Sequence, residues 1–341
     1  MVINKKKINK LFLYWLSISL LLVFFIIIIG GLTRLTDSGL SITEWELFKG
    51  VLPPLNNITW QMYFDQYKKI PQYNLLNFDM KLNEFKVIFY WEYFHRNLAR
   101  LIGLFFLLPL LYFYFSKKIN KKYIQVCMLI FLLIVFQGIV GWYMVKSGLV
   151  NDITVSHYRL SIHLFTGIII ISTIFWLLMN IIRNKNKIFF KFKKDNLPFF
   201  ILFLLLFTQI IIGAFVSGLD AGRIYQTWPL MGNNFLPNDL SFDTYENFLE
   251  FNNHSLVQFY HRSLAYFITI YVLILTISIY KKKLFNLYNS VNVLIFFLFL
   301  QATLGILTLI SDVNILLASA HQITSVLLVF SALNLYFLRT K

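Results

Sequence analysis

Charged residues are scarce in this chain, and acidic residues are the scarcer of the two signs. Only 13% of the 341 residues are charged and only 15 are Asp or Glu, whereas about a quarter of a typical soluble domain is charged. Cysteine occurs once, as Cys127 inside an apolar run, so one chain forms neither a disulfide nor a thiolate metal cage. These shortages exclude a soluble globular domain and a disulfide-stabilised scaffold.

Long apolar runs stand where the charges are missing. Hydrophobic residues make up 58% of the chain and aromatic residues 18%. The runs are about twenty residues long, enough for a helix to cross a hydrocarbon core of about 30 Å. The sequence therefore predicts an all-α integral membrane protein without a separate soluble domain. Its eight transmembrane helices are expected near residues 11–32, 86–115, 123–145, 157–182, 198–218, 256–280, 289–310 and 316–338.

Basic residues account for a net charge of +16 and lie in short clusters between the apolar runs. The clusters occur at every second connection, in residues 5–10, 117–122, 183–194, 281–283 and 339–341. The positive-inside rule makes these segments, and with them both termini, cytoplasmic. Clustering of this kind indicates topology rather than nucleic-acid binding. The basic N-terminus has no cleavage signature or transit-peptide composition, which favours a retained anchor in a bacterial plasma membrane.

The chain contains an internal repeat. Each half holds four predicted spans, an even number, so the halves face the same way as parallel repeats. We predict two four-helix bundles, residues 1–195 and 196–341. A shift of 183 residues matches Gly30/Gly213, Asp37/Asp220, Gly39/Gly222, Trp45/Trp228, Leu47/Leu230 and Pro54/Pro237. Shifts of 158–166 match His95/His261, Gln137/Gln301, Gly141/Gly305 and His163/His321.

Four of the six histidines belong to the repeat. His95 and His261 lie in the second span of each half, and His163 and His321 lie in the fourth. All four fall within about three turns of the outer helix ends, so they share one depth. Two imidazoles at matched depth in a helical bundle suit bis-histidine heme ligation. We predict that His95 pairs with His163. His261 pairs with His321 in the same way.

The alternative for any one of these histidines is a buried side chain bonded to a neighbouring helix. His157 and His254 align with isoleucines under the same shifts. We therefore expect these two at the interface or in loops, and not as ligands.

The second span carries charges inside an apolar run. Residues 89–103 read FYWEYFHRNLARLIG and contain Glu92, Arg96 and Arg100. Each charge costs about 2.5–3.5 kcal/mol near a helix centre, so these side chains should face a cavity or partners. Glu92 lies three residues before His95, one turn away on the same face. The matching residue in the second half is Gln258, which cannot ionise.

This difference predicts that the first half is catalytic and that the second holds a resident heme that relays electrons. Glu92 would accept or deliver protons at the heme edge, or stabilise a developing cation. The alternative is that Glu92 is only the ion-pair partner of Arg96 or Arg100.

Three arginines accompany the predicted ligands. Arg96 and Arg262 directly follow His95 and His261, and Arg159 precedes His163 by one turn. Guanidinium groups bind carboxylates through two hydrogen bonds and stay charged when partly buried, which suits heme propionates. The alternative is that these side chains extend to the membrane interface.

Several motifs are similar to those of one known family. They are GGLTRLTDSGLSITEW, FYWEYFHRNLARLIG, VSHYRLSIHL, FYHRSLAY and AHQ. Over almost the whole chain they resemble the heme A synthase family, in its alphaproteobacterial and mitochondrial branch. The resemblance implies two four-helix halves that oxidise the C8 methyl group of heme O to a formyl group by successive hydroxylations.

Carried over position by position, the resemblance implies that His95 and His163 face the substrate heme and that Glu92 is the essential glutamate. His261 and His321 would ligate a heme b. Some bacterial members have a cysteine pair in the first outer loop; this chain has none there, which excludes a thiol-based step. The pathway implies heme O, heme A and membrane lipid as contacts, and heme O synthase and cytochrome oxidase assembly factors as partners.

Two other functions use the same residues. A diheme membrane cytochrome would use the four histidines for electron transfer, but its hemes usually lie at different depths. A transporter would use Glu92 and the histidines as a proton relay and would bind no heme.

Overall fold

The computed structural model describes residues 9–45, 49–149, 153–190, 193–241 and 243–340. Eight of its helices are long and apolar enough to cross a membrane, which confirms the predicted class and number of spans. Leu47 of the repeat and the basic residues 5–7, 191 and 341 lie outside the described residues. The helices are α1 Lys10–Leu35, α2 Asn57–Tyr67, α3 Pro71–Leu76, α4 Leu82–Ser116, α5 Lys121–Gly148, α6 His157–Ile182, α7 Leu197–Gly218, α8 His254–Lys281, α9 Tyr288–Ile310 and α10 Ile315–Arg339.

Helix α4 is the longest of the described helices, and it begins four residues before the predicted span. Its 35 residues rise about 1.5 Å each and so exceed a hydrocarbon core of about 30 Å. The extra length lies at its first end, where α2 packs against it. We call this end of the bundle the outer side.

The segment between α1 and α4 forms a small core of its own on the outer side. Its aromatic side chains Trp60, Phe64, Tyr67, Phe85 and Phe89 are buried together. Burial raises the pKa of Tyr67 to about 12, so its hydroxyl stays protonated and donates to Gln72 Oε1 at 3.0 Å. Gln72 Nε2 in turn donates to the carbonyl of Asp37 at 3.1 Å. The segment is thereby tied to the end of α1.

The helix contacts define which spans face one another. Helices α1 and α5 both pack against α4 and α6, so α4 and α6 occupy opposite corners of this group. Helices α7 and α9 both pack against α8 and α10, which places α8 and α10 in the same relation. Helix α6, the most buried span, also packs against α7 and α10.

One arginine joins the outer ends of α1 and α7. The guanidinium of Arg34 lies 2.7 Å from a carboxylate oxygen of Asp37 and 2.8 Å from one of Asp220. Its NH2 group also donates to the carbonyl of Ser217 at 2.7 Å. Asp37 and Asp220 are matched by the repeat and both have a left-handed backbone, with φ of 49° and 53°. Two repeat positions therefore meet at one cation.

A second contact joins α1 to α10 through a glycine. Gln322 Nε2 donates to the carbonyl of Ile27 at 3.0 Å. A Cβ atom added to Gly31 would lie 1.6 Å from the side-chain oxygen of Gln322. Any residue larger than glycine at position 31 must therefore displace the Gln322 amide from its partner.

We expect Gly31→Ala to destabilise the protein by about 1–2 kcal/mol, because Gln322 loses its hydrogen bond and its packing. The measurement is the temperature at which half of the protein still elutes as a folded peak from a detergent column after heating. Adding Gln322→Ala should remove the clash and restore part of the loss. Gly103→Ala is the matched control, since no atom of the described part of the chain lies within 4 Å of a Cβ there. Equal losses for Gly31→Ala and Gly103→Ala would contradict the contact.

Candidate functional site

The structure brings the four repeated histidines together as two pairs. The rings of His95 on α4 and His163 on α6 have centroids 6.4 Å apart and planes inclined by 62°. The rings of His261 on α8 and His321 on α10 have centroids 6.5 Å apart and planes inclined by 77°. Each pair thus joins two helices on opposite corners of a four-helix group.

These separations suit a metal ion shared between the two rings. An imidazole nitrogen lies about 2.0 Å from a bound metal and about 1.1 Å from its own ring centre, so two ligands on opposite sides of one ion have centroids about 6 Å apart. A porphyrin supplies four nitrogens to iron and leaves two axial positions. The donor set of each pair therefore fits a six-coordinate heme iron.

A glycine from a neighbouring helix lies against every one of the four rings. A Cβ atom there would lie 3.0 Å or less from the histidine Cε1, closer than side chains normally approach. The glycines are Gly30 against His95, Gly141 against His163, Gly213 against His261 and Gly305 against His321. All four appear as matches of the internal repeat, but the repeat alone does not show what they contact. They allow the rings to occupy these positions.

A glutamine accompanies three of the four rings. Gln137 donates to the carbonyl of His163 at 2.8 Å, and its own backbone is a hydrogen-bond partner of the His163 ring. His321 Nδ1 lies 3.1 Å from the carbonyl oxygen of Gln301, and the Gln209 amide nitrogen lies 3.1 Å from Nδ1 and 3.4 Å from Nε2 of His261. Nδ1 of His95 is buried without a hydrogen-bond partner among the described residues.

Glu92 is buried, with 3% of its surface exposed, and three groups donate to its carboxylate. Oε2 accepts from the Ser41 hydroxyl at 2.7 Å and from the backbone N–H of Ile42 at 2.8 Å. Oε1 accepts from the guanidinium of Arg96 at 2.5 Å. The ion pair with Arg96 that we considered as an alternative is thus present. A carboxylate has about four acceptor sites, so Oε1 keeps one for a further proton or donor.

On α8, Gln258 occupies the position that corresponds to Glu92 on α4. Its Nε2 donates to the carbonyl of Tyr225 at 3.0 Å, while its Oε1 is buried and no described residue is its partner. Both residues therefore bind the outer segment of their half, but only Glu92 brings an ionisable group.

The guanidinium groups of Arg96 and Arg262 donate to backbone carbonyls of the outer segments that precede α4 and α8. Arg96 donates to the carbonyls of Ile42 at 2.8 Å and Glu44 at 3.1 Å. Arg262 donates to the carbonyls of Tyr225, Thr227 and Leu230 at 2.6–3.3 Å. Its Nε is buried and has no partner among the described residues, so this arginine keeps one donor for another acceptor.

Arg159 and Arg100 contact residues of neighbouring segments. Arg159 lies 3.9 Å from the ring centroid of Tyr143 and donates to its hydroxyl at 3.1 Å. Arg100, to which the sequence assigned no role, donates to the carbonyl of Gly50 at 3.0 Å and to the side chain of Asn97 at 2.9 Å. Arg100 therefore extends the row of contacts by which α4 binds the first outer segment.

The two remaining histidines lie apart from the pairs. His157 and His254 are the first residues of α6 and α8. The ring of His157 packs against Tyr158 and Phe215, with centroids 4.1 and 5.3 Å away. Its Cβ lies over Gly218, where a side chain would clash. His157 thus packs where α6 meets α7.

Residues 13–333 match the sequence family described as Cytochrome oxidase assembly protein. A heme A synthase of Pelagibacter ubique is 47% identical to this chain and covers 99% of it, with 98% of the relative aligned. A heme A synthase of Rickettsia bellii is 42% identical, with 92% of this chain and 94% of the relative aligned. One of Flavobacterium johnsoniae is 39% identical, at 93% and 94% coverage. The match runs from the first span to the last, and the chain therefore belongs to the Cytochrome oxidase assembly protein family.

Proposed function

We propose that this protein is a heme A synthase, which oxidises the C8 methyl group of heme O to a formyl group by successive hydroxylations. The observation that carries the proposal is the presence of two histidine pairs, each spaced to share an iron, with Glu92 three residues before His95 and the non-ionisable Gln258 three residues before His261. The names of the relatives, at 39–47% identity over nearly the whole chain, support it.

We assign the substrate to the pair in the first half, residues 1–195, where His95 and His163 would bind heme O. His261 and His321 in the second half, residues 196–341, would hold a heme b. That heme, when bound, supplies a route for electrons leaving the substrate. The two halves would be parallel repeats of one four-helix bundle.

Glu92 is the group of the first half that can take a proton from the substrate edge. Converting a methyl group to a formyl group removes electrons and protons from the substrate, so a proton acceptor beside the ligand histidine is useful. Ser41, Ile42 and Arg96 fix the carboxylate on one side. The remaining acceptor site on Oε1 is the one we assign to the proton or to a developing positive charge.

The arginines beside the ligands would bind propionate groups. Arg262 has a spare buried Nε, and Arg159 lies one turn outward of His163. Arg96 already binds Glu92 and two carbonyls, so its main contribution is to hold Glu92 and the outer segment. We therefore assign propionate binding mainly to Arg262 and Arg159.

Two alternative functions lack support from the relatives, whose names describe an enzyme. A diheme cytochrome would need no acid beside one pair. A proton-relay transporter would not need pairs of imidazoles at metal-sharing distance. We place the enzyme in the bacterial plasma membrane with both termini in the cytoplasm, working next to heme O synthase and cytochrome oxidase assembly factors.

The proposal is tested by expressing the chain together with a heme O synthase and extracting the hemes. Wild type should convert heme O to heme A. Glu92→Gln should lower the yield of heme A by about a hundredfold or more, the usual contribution of a positioned acid or base. Glu84→Gln makes the same change at an exposed position of the same helix and should leave the yield unchanged. Full heme A production by Glu92→Gln would contradict the catalytic assignment, and none in wild type would contradict the proposed function.

The second-half assignment predicts a change in the absorption spectrum of the purified protein. His261→Ala or His321→Ala should remove the resident heme or convert it from a low-spin to a high-spin form, because an axial ligand is lost. His254→Ala removes an imidazole from the same helix as His261 but outside the pair, and should keep the wild-type spectrum. Unchanged spectra for both pair variants would show that the resident heme is bound elsewhere.

A further inference from the structure

A row of three residues on α8 differs from the matching row on α4 in how its polar atoms are satisfied. On α8 the row consists of Gln258, Arg262 and Tyr266. A shift of 166 residues matches it with Glu92, Arg96 and Arg100 on α4. Residues four positions apart are neighbours on one face of a helix. Both rows therefore run along one flank of their helix, beside the histidine of that helix.

The row on α4 is satisfied by the protein itself. Glu92 accepts from Arg96, Arg96 donates to the carbonyl of Ile42 at 2.8 Å, and Arg100 donates to the carbonyl of Gly50 at 3.0 Å. None of the buried nitrogen or oxygen atoms of these three side chains lacks a partner within the described part of the chain. The first outer segment thus occupies the polar groups of this row.

The row on α8 keeps one buried atom on each side chain that no described residue contacts by a hydrogen bond. The atoms are Gln258 Oε1, Arg262 Nε and the Tyr266 hydroxyl oxygen. Gln258 Oε1 is an acceptor, whereas Arg262 Nε and the Tyr266 hydroxyl can donate. Buried polar groups are nearly always hydrogen-bonded. Two such donors in one row therefore indicate an acceptor that comes from a bound molecule.

Arg262 and Tyr266 are placed to reach the same acceptor. Side chains of a helix lean toward its N-terminal end, so the ring of Tyr266 extends toward the turn that carries Arg262. The phenolic oxygen lies near enough to the guanidinium to interact with its charge. A guanidinium beside a hydroxyl favours an anionic acceptor, and a carboxylate can accept from both groups. Since Arg262 directly follows His261, that carboxylate would belong to a molecule bound beside the second histidine pair.

We propose that Tyr266 and the Nε–H group of Arg262 together bind a propionate carboxylate of the heme held by His261 and His321. This inference rests on the proposed function, because it takes the second pair as the site of a resident heme. It adds Tyr266 as a heme-binding residue. Arg100, at the position equivalent to Tyr266, binds the first outer segment instead, so this contact is confined to the second half.

The test compares heme b with its dimethyl ester, in which neither propionate is charged. All proteins are full-length and carry His163→Ala, which removes a ligand of the first pair, so a low-spin spectrum reports only heme between His261 and His321. This parent protein and its variants are purified from heme-deficient cells and loaded with either form of heme. Excess apomyoglobin then captures the released heme, and the absorbance gives the rate of release.

Tyr266→Phe should release heme b about tenfold or more faster than the parent protein, because a hydrogen bond to a charged group is lost. It should change the release of the dimethyl ester by less than about twofold, because the ester carries no charge for the hydroxyl to stabilise. A purely structural role of Tyr266 would alter both rates alike. The same substitution should not lower the melting temperature of the heme-free protein, since the hydroxyl that it removes is bound to no described residue.

Arg262→Lys is the second variant, because it keeps the positive charge and loses the Nε–H donor. It should also reduce the ratio of ester release to heme b release. Since Arg262 contacts the outer segment as well, the ratio rather than either rate is compared.

Tyr271→Phe is the matched control. It removes from the same helix a hydroxyl that donates to the carbonyl of Pro198 at 2.9 Å. It should lower the melting temperature of the heme-free protein and keep the ratio of the two release rates within about twofold of the parent value.

The outcomes separate this inference from the proposed function. Equal release of heme b and its ester by the parent protein, or an unchanged ratio in Tyr266→Phe, overturns the carboxylate contact while the resident heme stands. A parent protein that takes up no low-spin heme, or whose low-spin spectrum survives both His261→Ala and His321→Ala, contradicts the heme site itself.

Discussion

The rings of each histidine pair come from separate helices and have centroids 6.4 and 6.5 Å apart, the separation at which two imidazoles can share one metal ion, and the packing of the surrounding helices holds them there. The rings come from helices on opposite corners of a four-helix group, so neither can reach the other unless the flanking helices leave room. Glycines at four repeated positions leave that room.

The sequence predicts the framework of the protein well, because its signals are local or periodic. Run length and composition fix the eight spans, and the repeat selects four of the six histidines. The sequence does not predict contacts to backbone carbonyls. Arg96 and Arg262 bind carbonyls of the outer segments, and those contacts depend on the path of a loop, which composition does not encode. The sequence does not predict α2 and α3, because they are short and lie in the connection between the first two predicted spans.

At Glu92, too, the sequence predicts the residue but not its contacts with a distant segment. Its presence in an apolar span marks it as unusual, and its spacing from His95 places it on the right face. That its carboxylate is bound by Ser41 and Ile42 depends on a segment about fifty residues earlier in the chain. Sequence spacing therefore found the acid and one partner, Arg96, but not the segment that fixes it.

Under the proposed function, a duplicated sequence would let one chain treat two hemes differently. The paired histidines are repeated in both halves of the sequence, while Glu92 in the first stands against Gln258 in the second. Substitutions next to the ligands, rather than changes of the ligands, would then divide the work between a reacting site and a resident one.

Low-temperature electron paramagnetic resonance of the purified ferric protein tests most directly whether each histidine pair shares one iron. The nearly perpendicular planes of His261 and His321, inclined by 77°, predict a strongly anisotropic low-spin signal, and loading with heme O should add a second low-spin signal. A ferric protein that shows only high-spin signals would contradict the account, because neither iron would then lie between two imidazoles.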